Sequence, residues 1–367
     1  MRSSKFCYLF IILCFIVPIA GLAQEQKPNN ETGVILVPKV EKPRGLKKYK
    51  VKDLSGYLLV YFKDQTQSAY LAISADGYTF TDINNGKPIF IGSELAEQKG
   101  VRDPHITRGP DGALYVVMTD LHIFGKQAGF RDTQWERPAE KYGWGNNRAI
   151  VLMKSYDLIH WSHSDFRVDL AFPELGDIDC SWAPETIYDP IAKKMMVYFT
   201  IRYHNDYANI YYSYANDDFT KLETVPKKIT DIGGIDADIT KVADTFHMFY
   251  VSKASVHHAI SKKINEDFKT VGNRIDPETV STEAPNVFKR LGTNSYVLMY
   301  DVYGLRPSNM GFSETTDFVN FKNIGHFNEG EMKTTNFTSP KHGAVTYLTK
   351  AELKAIAAHW KVDIKVD

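Results

Sequence analysis

Six short stretches are rich in apolar residues: GYLLVYF (56–62), ALYVVMTD (113–120), KMMVYFT (194–200), NIYYSY (209–214), FHMFYVS (246–252) and SYVLMYD (295–301). They read as short alternating strands. Aromatic and β-branched residues dominate, and apolar positions rarely recur at helical spacing. One helix is predicted near the end, where LTKAELKAIAAHW (348–360) opens with Thr349 and Glu352 at capping-box spacing.

The turns between strands repeat. A serine, then an acid, then an aromatic follow a strand-like run in AISADGYTF (72–80), LMKSYDLIHW (152–161), YSYANDDFTK (212–221), AISKKINEDFKT (259–270) and GFSETTDFVNF (311–321). The acids are Asp76, Asp157, Asp218, Asp267 and Asp317, at intervals of 81, 61, 49 and 50 residues. Five copies of a unit of about 50 residues and four strands predict an all-β fold, a five-bladed β-propeller with a short C-terminal helix. A β-sandwich is the alternative architecture, but it needs no fivefold repeat.

A second phrase recurs at the mouth of each unit: RDPHI (102–106), WAPETI (182–187), IDADI (235–239), EAPNVF (283–288) and KHGAV (341–345). The last precedes no further turn, and the first turn lacks an upstream phrase. The chain therefore closes by pairing a strand near Gly343–Leu348 with the N-terminal strands. Inner strands of a propeller line its axis, so the phrases predict that Asp103, Glu185, Asp236, Glu283 and His342 converge on one pocket.

Composition bounds the rest. Arg2 and Lys5 precede an apolar run from Phe6 to Ile19 and small residues at Ala20, Gly21 and Ala23, the pattern of a cleaved secretory signal over residues 1–23. Residues 24–50, rich in Pro, Lys and Asn, read as a leader or linker on the surface. Residues 51–367 are expected to form the propeller domain. The predicted location is periplasmic or secreted, with no membrane span. Lys+Arg and Asp+Glu number 44 each, so there is no basic surplus for nucleic acid. Cys7 and Cys14 leave with the signal, and Cys180 then has no disulfide partner. The expected state is a monomer. No zinc or EF-hand ligand spacing occurs; no cofactor is required, and a structural calcium on the propeller axis is the one ion considered.

Several carboxylates in one pocket repel, so one must hold its proton above the usual range. A protonated and an ionised carboxyl together are what glycoside hydrolysis uses. The order RDPHI, WAP, IDAD, EAPNVF and a late HGA resembles glycoside hydrolase family 43, the five-bladed inverting arabinosidases and xylosidases. The likeness runs from about Tyr57 to the final helix. It implies that Asp103 is the general base, that Asp236 orients the acid and tunes its pKa, and that Glu283 is the general acid. It also implies an axial role for His342, beside the acid or a hydrated metal. Ala237 and Ala284 depart from the family's usual proline and glycine. Glu185 is an extra acid, expected to bind a sugar hydroxyl or compete for the acid role. Trp182 is expected as a sugar platform, and Arg102 as an ion-pair partner of one of the acids. The insertion at 122–147 is expected to shape the pocket. The implied substrate is an arabinofuranosyl or xylosyl unit on a plant oligo- or polysaccharide. A retaining fructan-hydrolase-like enzyme and a catalytically silent glycan-binding propeller are the alternatives.

Overall fold

The computed structural model describes residues 32–46, 49–130 and 137–365. The signal expected at residues 1–23 lies outside them. Five antiparallel sheets form five blades. In the first four, chain order runs outward from the axis, starting from inner strands Val101–Arg108, Cys180–Asp189, Ile235–Val242 and Glu283–Lys289. The fifth is closed by both ends of the domain. Its inner strand, Lys341–Thr349, pairs antiparallel with Leu54–Lys63, setting Gly343 opposite Tyr61 and Leu348 opposite Gly56. The five inner strands contact one another in a closed ring. Two short edge strands add in parallel: Ile35–Val37, from the stretch read as a leader, on the first blade, and Lys333–Thr334 on the fifth.

The strands differ from the expected alternation. Lys194–Arg202 and Tyr296–Val302 are apolar on both faces, because each blade is sandwiched between two others. Along the former, Val197 and Phe199 pack towards the first blade, while Met196 and Tyr198 pack towards the third. Five hydrophobic clusters result, one at each junction between blades.

The repeated turns have a physical basis in three blades. Asp76, Asp157 and Asp317 each accept two backbone N–H groups and the hydroxyl of Ser74, Ser155 or Thr315. This is the local side-chain capping that favours Asp in turns. In the second blade Asn216 does the capping, and Asp218 instead pairs with Lys39 at 3.0 Å.

The C-terminal helix, Lys350–Trp360, carries the predicted Thr349–Glu352 capping box. Its Leu353 and Ile356 pack into the junction between the fifth and first blades. Arg108, at the far end of the first inner strand, grips Glu352 through two hydrogen bonds of 2.9 and 2.7 Å. Among the described residues, no helix is long and apolar enough to cross a membrane.

Candidate active site

Every inner strand carries the same defect at its mouth. One extra residue is inserted against the neighbouring strand, and that residue sits in the left-handed region: Asp103 at φ 49°, Ala183 at 41°, Asp236 at 51°, Ala284 at 56° and His342 at 29°. Such bulges bend a strand and redirect side chains. A left-handed residue other than glycine costs about 1–3 kcal/mol and clusters at functional sites. Proline follows the bulge residue at 104, 184 and 285, where a missing N–H is tolerated. Position 284, where alanine replaces the family's usual glycine, is one where glycine would sit without that strain.

The bulges turn three polar groups, Asp103, Asp236 and His342, into one cavity of about 350 Å³. Glu283, one residue before its bulge, reaches the same cavity from the position that Arg102, Trp182, Ile235 and Lys341 hold in the other blades. The predicted triad of Asp103, Asp236 and Glu283 is therefore brought together.

The surroundings of each carboxyl differ. Burial alone would raise the pKa of Asp103. It is overridden by the hydrogen bond and charge of His342, with help from the Arg102 charge and the Thr119 hydroxyl, so that the value falls to about 2. His342 Nδ1 lies 3.4 Å from Asp103 Oδ1, and Thr119 Oγ1 donates to Oδ2 at 2.8 Å. Burial disfavours the His342 cation, but its contact with Asp103 and the charges of Asp236 and Glu283 raise its pKa. Asp236 is pushed the other way, to about 7. Burial is the main cause; His342 opposes it, and the Glu283 and Asp103 charges add to it. The N–H of Ala284 donates to Asp236 Oδ2 at 3.3 Å, tying that carboxyl to the strand that carries Glu283. One acid is thus held ionised and another holds its proton near neutrality.

Arg102 lines the cavity, donating to Asp64 Oδ1 at 2.8 Å and lying 4.0 Å from Asp103. Trp182 also lines it. Its Nε1 donates to Gly145 O at 2.7 Å, and the Arg202 guanidinium lies 4.5 Å from its ring centre. The insertion at 122–147 contributes Ile123 and the exposed Trp144 to the wall.

Glu185 is not in the cavity, contrary to expectation. Ala183 occupies the bulge in that blade, and two residues further on the strand has carried Glu185 down the channel, where it is 2% exposed. Its level is that of His105, Asp238 and Asn286 in the neighbouring blades, and these four stitch the blades together. Thr186 N donates to His105 Nδ1 at 3.3 Å, and Tyr198 OH to Glu185 at 2.9 Å. Asn286 Nδ2 donates to Asp238 at 3.1 Å, and Val345 N to Asn286 Oδ1 at 3.0 Å. Burial, then the Asp238 charge, pushes Glu185 well up, while Asp238 rises to about 7 through burial. His105 falls to about 3 through burial, so it is neutral. His105, Glu185 and Asp238 offer three ligand atoms within 4.8 Å of one another. The set is one imidazole nitrogen and two carboxyls, both pushed towards their protonated forms, which falls short of the six to eight oxygens that calcium takes.

Of four further wall residues, two lie in no motif or stretch singled out above. Asp64 and Tyr303 come from connecting loops, and Trp144 from the insertion. Lys341 lies inside the quoted KHGAV phrase. Its Nζ stands 3.4 Å from Asp64, 3.6 Å from Glu283 and 3.7 Å from Asp301.

A family profile for a probable glycosyl hydrolase domain, Glyco_hydro_43_rel, matches residues 52–354. The chain belongs to this family. It is a glycosidase built on the propeller of glycoside hydrolase family 43. A search of curated proteins finds no match. Among solved structures, the chain is similar in fold to the GH43 BlXynB protein of Bacillus licheniformis. That likeness has a TM-score of 0.50 at 13% identity, over 77% of this chain and 56% of that one. It is also similar to the GH43_1 enzyme of Xanthomonas citri complexed with xylotriose (TM-score 0.45, 13% identity, 62% and 73% covered). A third likeness is to the catalytic domain of the Coprinopsis cinerea GH62 α-L-arabinofuranosidase (TM-score 0.45, 15% identity, 65% and 74% covered).

Proposed function

We propose that this glycosidase hydrolyses its substrate with inversion, and that the bond it cuts joins an α-L-arabinofuranosyl or β-xylosyl unit to a plant oligo- or polysaccharide. Asp103, ionised because His342 and Arg102 stand beside it, takes a proton from a water. The water oxygen bonds to the anomeric carbon as the glycosidic C–O bond breaks. Glu283 gives its proton to the departing oxygen. Asp236 holds a proton near neutrality on the adjoining strand; it orients Glu283 and tunes its pKa, and once the products leave, Asp103 loses the proton it took to solvent and Glu283 regains one from solvent. The observation that carries this reading is the convergence of Asp103, Asp236 and Glu283 on one cavity. The sugar follows from the family resemblance, which is an argument by analogy.

The test is steady-state kinetics on aryl α-L-arabinofuranosides and aryl β-xylosides. Asp103→Asn should lower kcat by about 10²–10⁴, the ordinary worth of a positioned base. Turnover of neither substrate by the wild type would sink the choice of sugar, and full activity in Asp103→Asn would sink the assignment of the base. We also infer export after removal of residues 1–23. N-terminal sequencing of the protein from its native host should find a start near Gln24, and an intact Met1 would refute this.

A further inference from the structure

Behind the crater, in the strand Tyr296–Val302, Asp301 is 1% exposed, and among the described residues neither of its carboxyl oxygens has a hydrogen-bond partner. A buried polar group left without a partner costs stability, so it calls for an explanation. Its position supplies one. Asp301 stands directly opposite Glu283 in the antiparallel pair, and residues paired in this way share a face of the sheet. Lys341 reaches the two acids from the fifth blade, where it is paired opposite Phe62 and its ammonium lies 5.9 Å from the centre of that ring. Its Nζ is 3.6 Å from Glu283 Oε1 and 3.7 Å from Asp301 Oδ2. The third carboxyl beside it, Asp64 at 3.4 Å, already accepts a hydrogen bond of 2.8 Å from Arg102.

The charges differ on the two sides of the ammonium. Burial raises the pKa of Asp301 to about 8; Lys341 and His342 oppose the rise, and Glu283 and Asp64 add to it. Asp301 therefore keeps its proton at neutral pH. Burial and the Arg102 charge disfavour the Lys341 cation, but Asp301, Glu283 and Asp64 outweigh them and raise its pKa, so it stays charged. A neutral Asp301 draws off little of that charge.

We propose that Lys341 is a positioning residue whose fixed ammonium stabilises the carboxylate that forms on Glu283 as its proton leaves, and that Asp301, buried behind it, governs how much of that charge Glu283 receives. This rests on the general-acid role of Glu283 and deepens it. The proton passes from Glu283 to the departing oxygen, and the negative charge left behind meets a cation already in place. Once Asp301 ionises, it shares the ammonium and sets a second negative charge beside that carboxylate, so the stabilisation weakens.

The effect matters only where the leaving group needs the proton. It is read as the ratio of kcat on a methyl glycoside to kcat on a nitrophenyl glycoside of the same sugar. Lys341→Met should lower this ratio by about 10–10²-fold, somewhat below the worth of a donor in direct contact with an oxyanion. Lys341→Arg keeps the charge and should lose less. Equal losses on both glycosides, or a change confined to KM, would assign Lys341 to the fold or to substrate binding and overturn its role. In wild type the ratio should fall as pH rises through about 8, and in Asp301→Asn it should not. Any change due to Asp236 is common to both proteins. A fall in both, or in neither, would overturn the role of Asp301, and this comparison stands even if Lys341→Met does not fold. Glu283→Gln is the reference. If it loses equally on both glycosides, the general-acid role itself falls; if it discriminates between them and Lys341→Met does not, only the role of Lys341 falls.

Discussion

At Asp103 two demands meet. The general base we propose there must be ionised while partly out of water, and an imidazolium, a guanidinium and a hydroxyl outweigh the cost of burial. His342→Gln removes the main support. The pKa of Asp103 should then climb from about 2, and the acid limb of the pH profile of kcat/KM should shift upwards with it. The alkaline limb should fall as pH rises through about 7, where Asp236 loses its proton. An acid limb that stays in place in His342→Gln contradicts this. The same pair bears on stability. The depressed pKa of Asp103 stabilises the fold above about pH 4, and this is lost as pH falls towards 2. The raised pKa of His342 stabilises below about 6.5 and is lost as pH rises through its folded value. Glu283 is tested by leaving group. A nitrophenolate departs without protonation, so Glu283→Gln should keep most of its kcat on nitrophenyl glycosides and lose about 10²-fold or more on alkyl glycosides. Equal losses would deny Glu283 the acid role.

At the scale of the strand, the bulge organises the site. It sets which residue looks into the crater and which lies deeper, and in each blade that depth differs by two positions. The phrases RDP, WAP and EAP share a register on their prolines, which puts Ala183 beside Asp103 and Glu185 beside His105. Matching the phrases on their acids instead raised Glu185 into the pocket. The triad, His342 and the closing strand were legible because they lie in repeated phrases. Asp64 and Tyr303 were not, since loops bring them in from distant positions without a pattern, and Trp144 was covered only by the expectation that the insertion at 122–147 shapes the pocket. The apolar content of the strands was legible as well, but their two-sided burial follows from five neighbours around an axis and not from local periodicity. The deeper ring has its own consequence. Asn286→Ala leaves Asp238 and the Val345 N–H each short of a buried partner, and should cost about 2–4 kcal/mol in denaturant unfolding. A cost under about 0.5 kcal/mol would show that the ring does not hold the blades.

For the whole molecule, closure decides stability. The fifth blade exists only when residues from both ends of the domain pair, and the C-terminal helix locks that seam to the first blade. Glu352 both caps the helix and receives Arg108, whose side chain is 6% exposed. Glu352→Ala should therefore cost about 3 kcal/mol in one cooperative transition, with kcat unchanged at a temperature where the variant is folded. An unaltered midpoint would mean that the seam is held by packing alone. The site depends on the same closure, since Lys341 and His342 come from the last strand, Asp103 from the first inner strand and Glu283 from the fourth.

The most direct measurement is of the sugar released. Proton magnetic resonance during the first minutes of hydrolysis, before mutarotation, distinguishes the two anomers. Attack by a water that Asp103 activates on the face opposite Glu283 should give the anomer of inverted configuration first. First appearance of the retained anomer would mean that a carboxylate, and not a water, attacks the sugar, and the roles assigned to Asp103 and Glu283 would fall together.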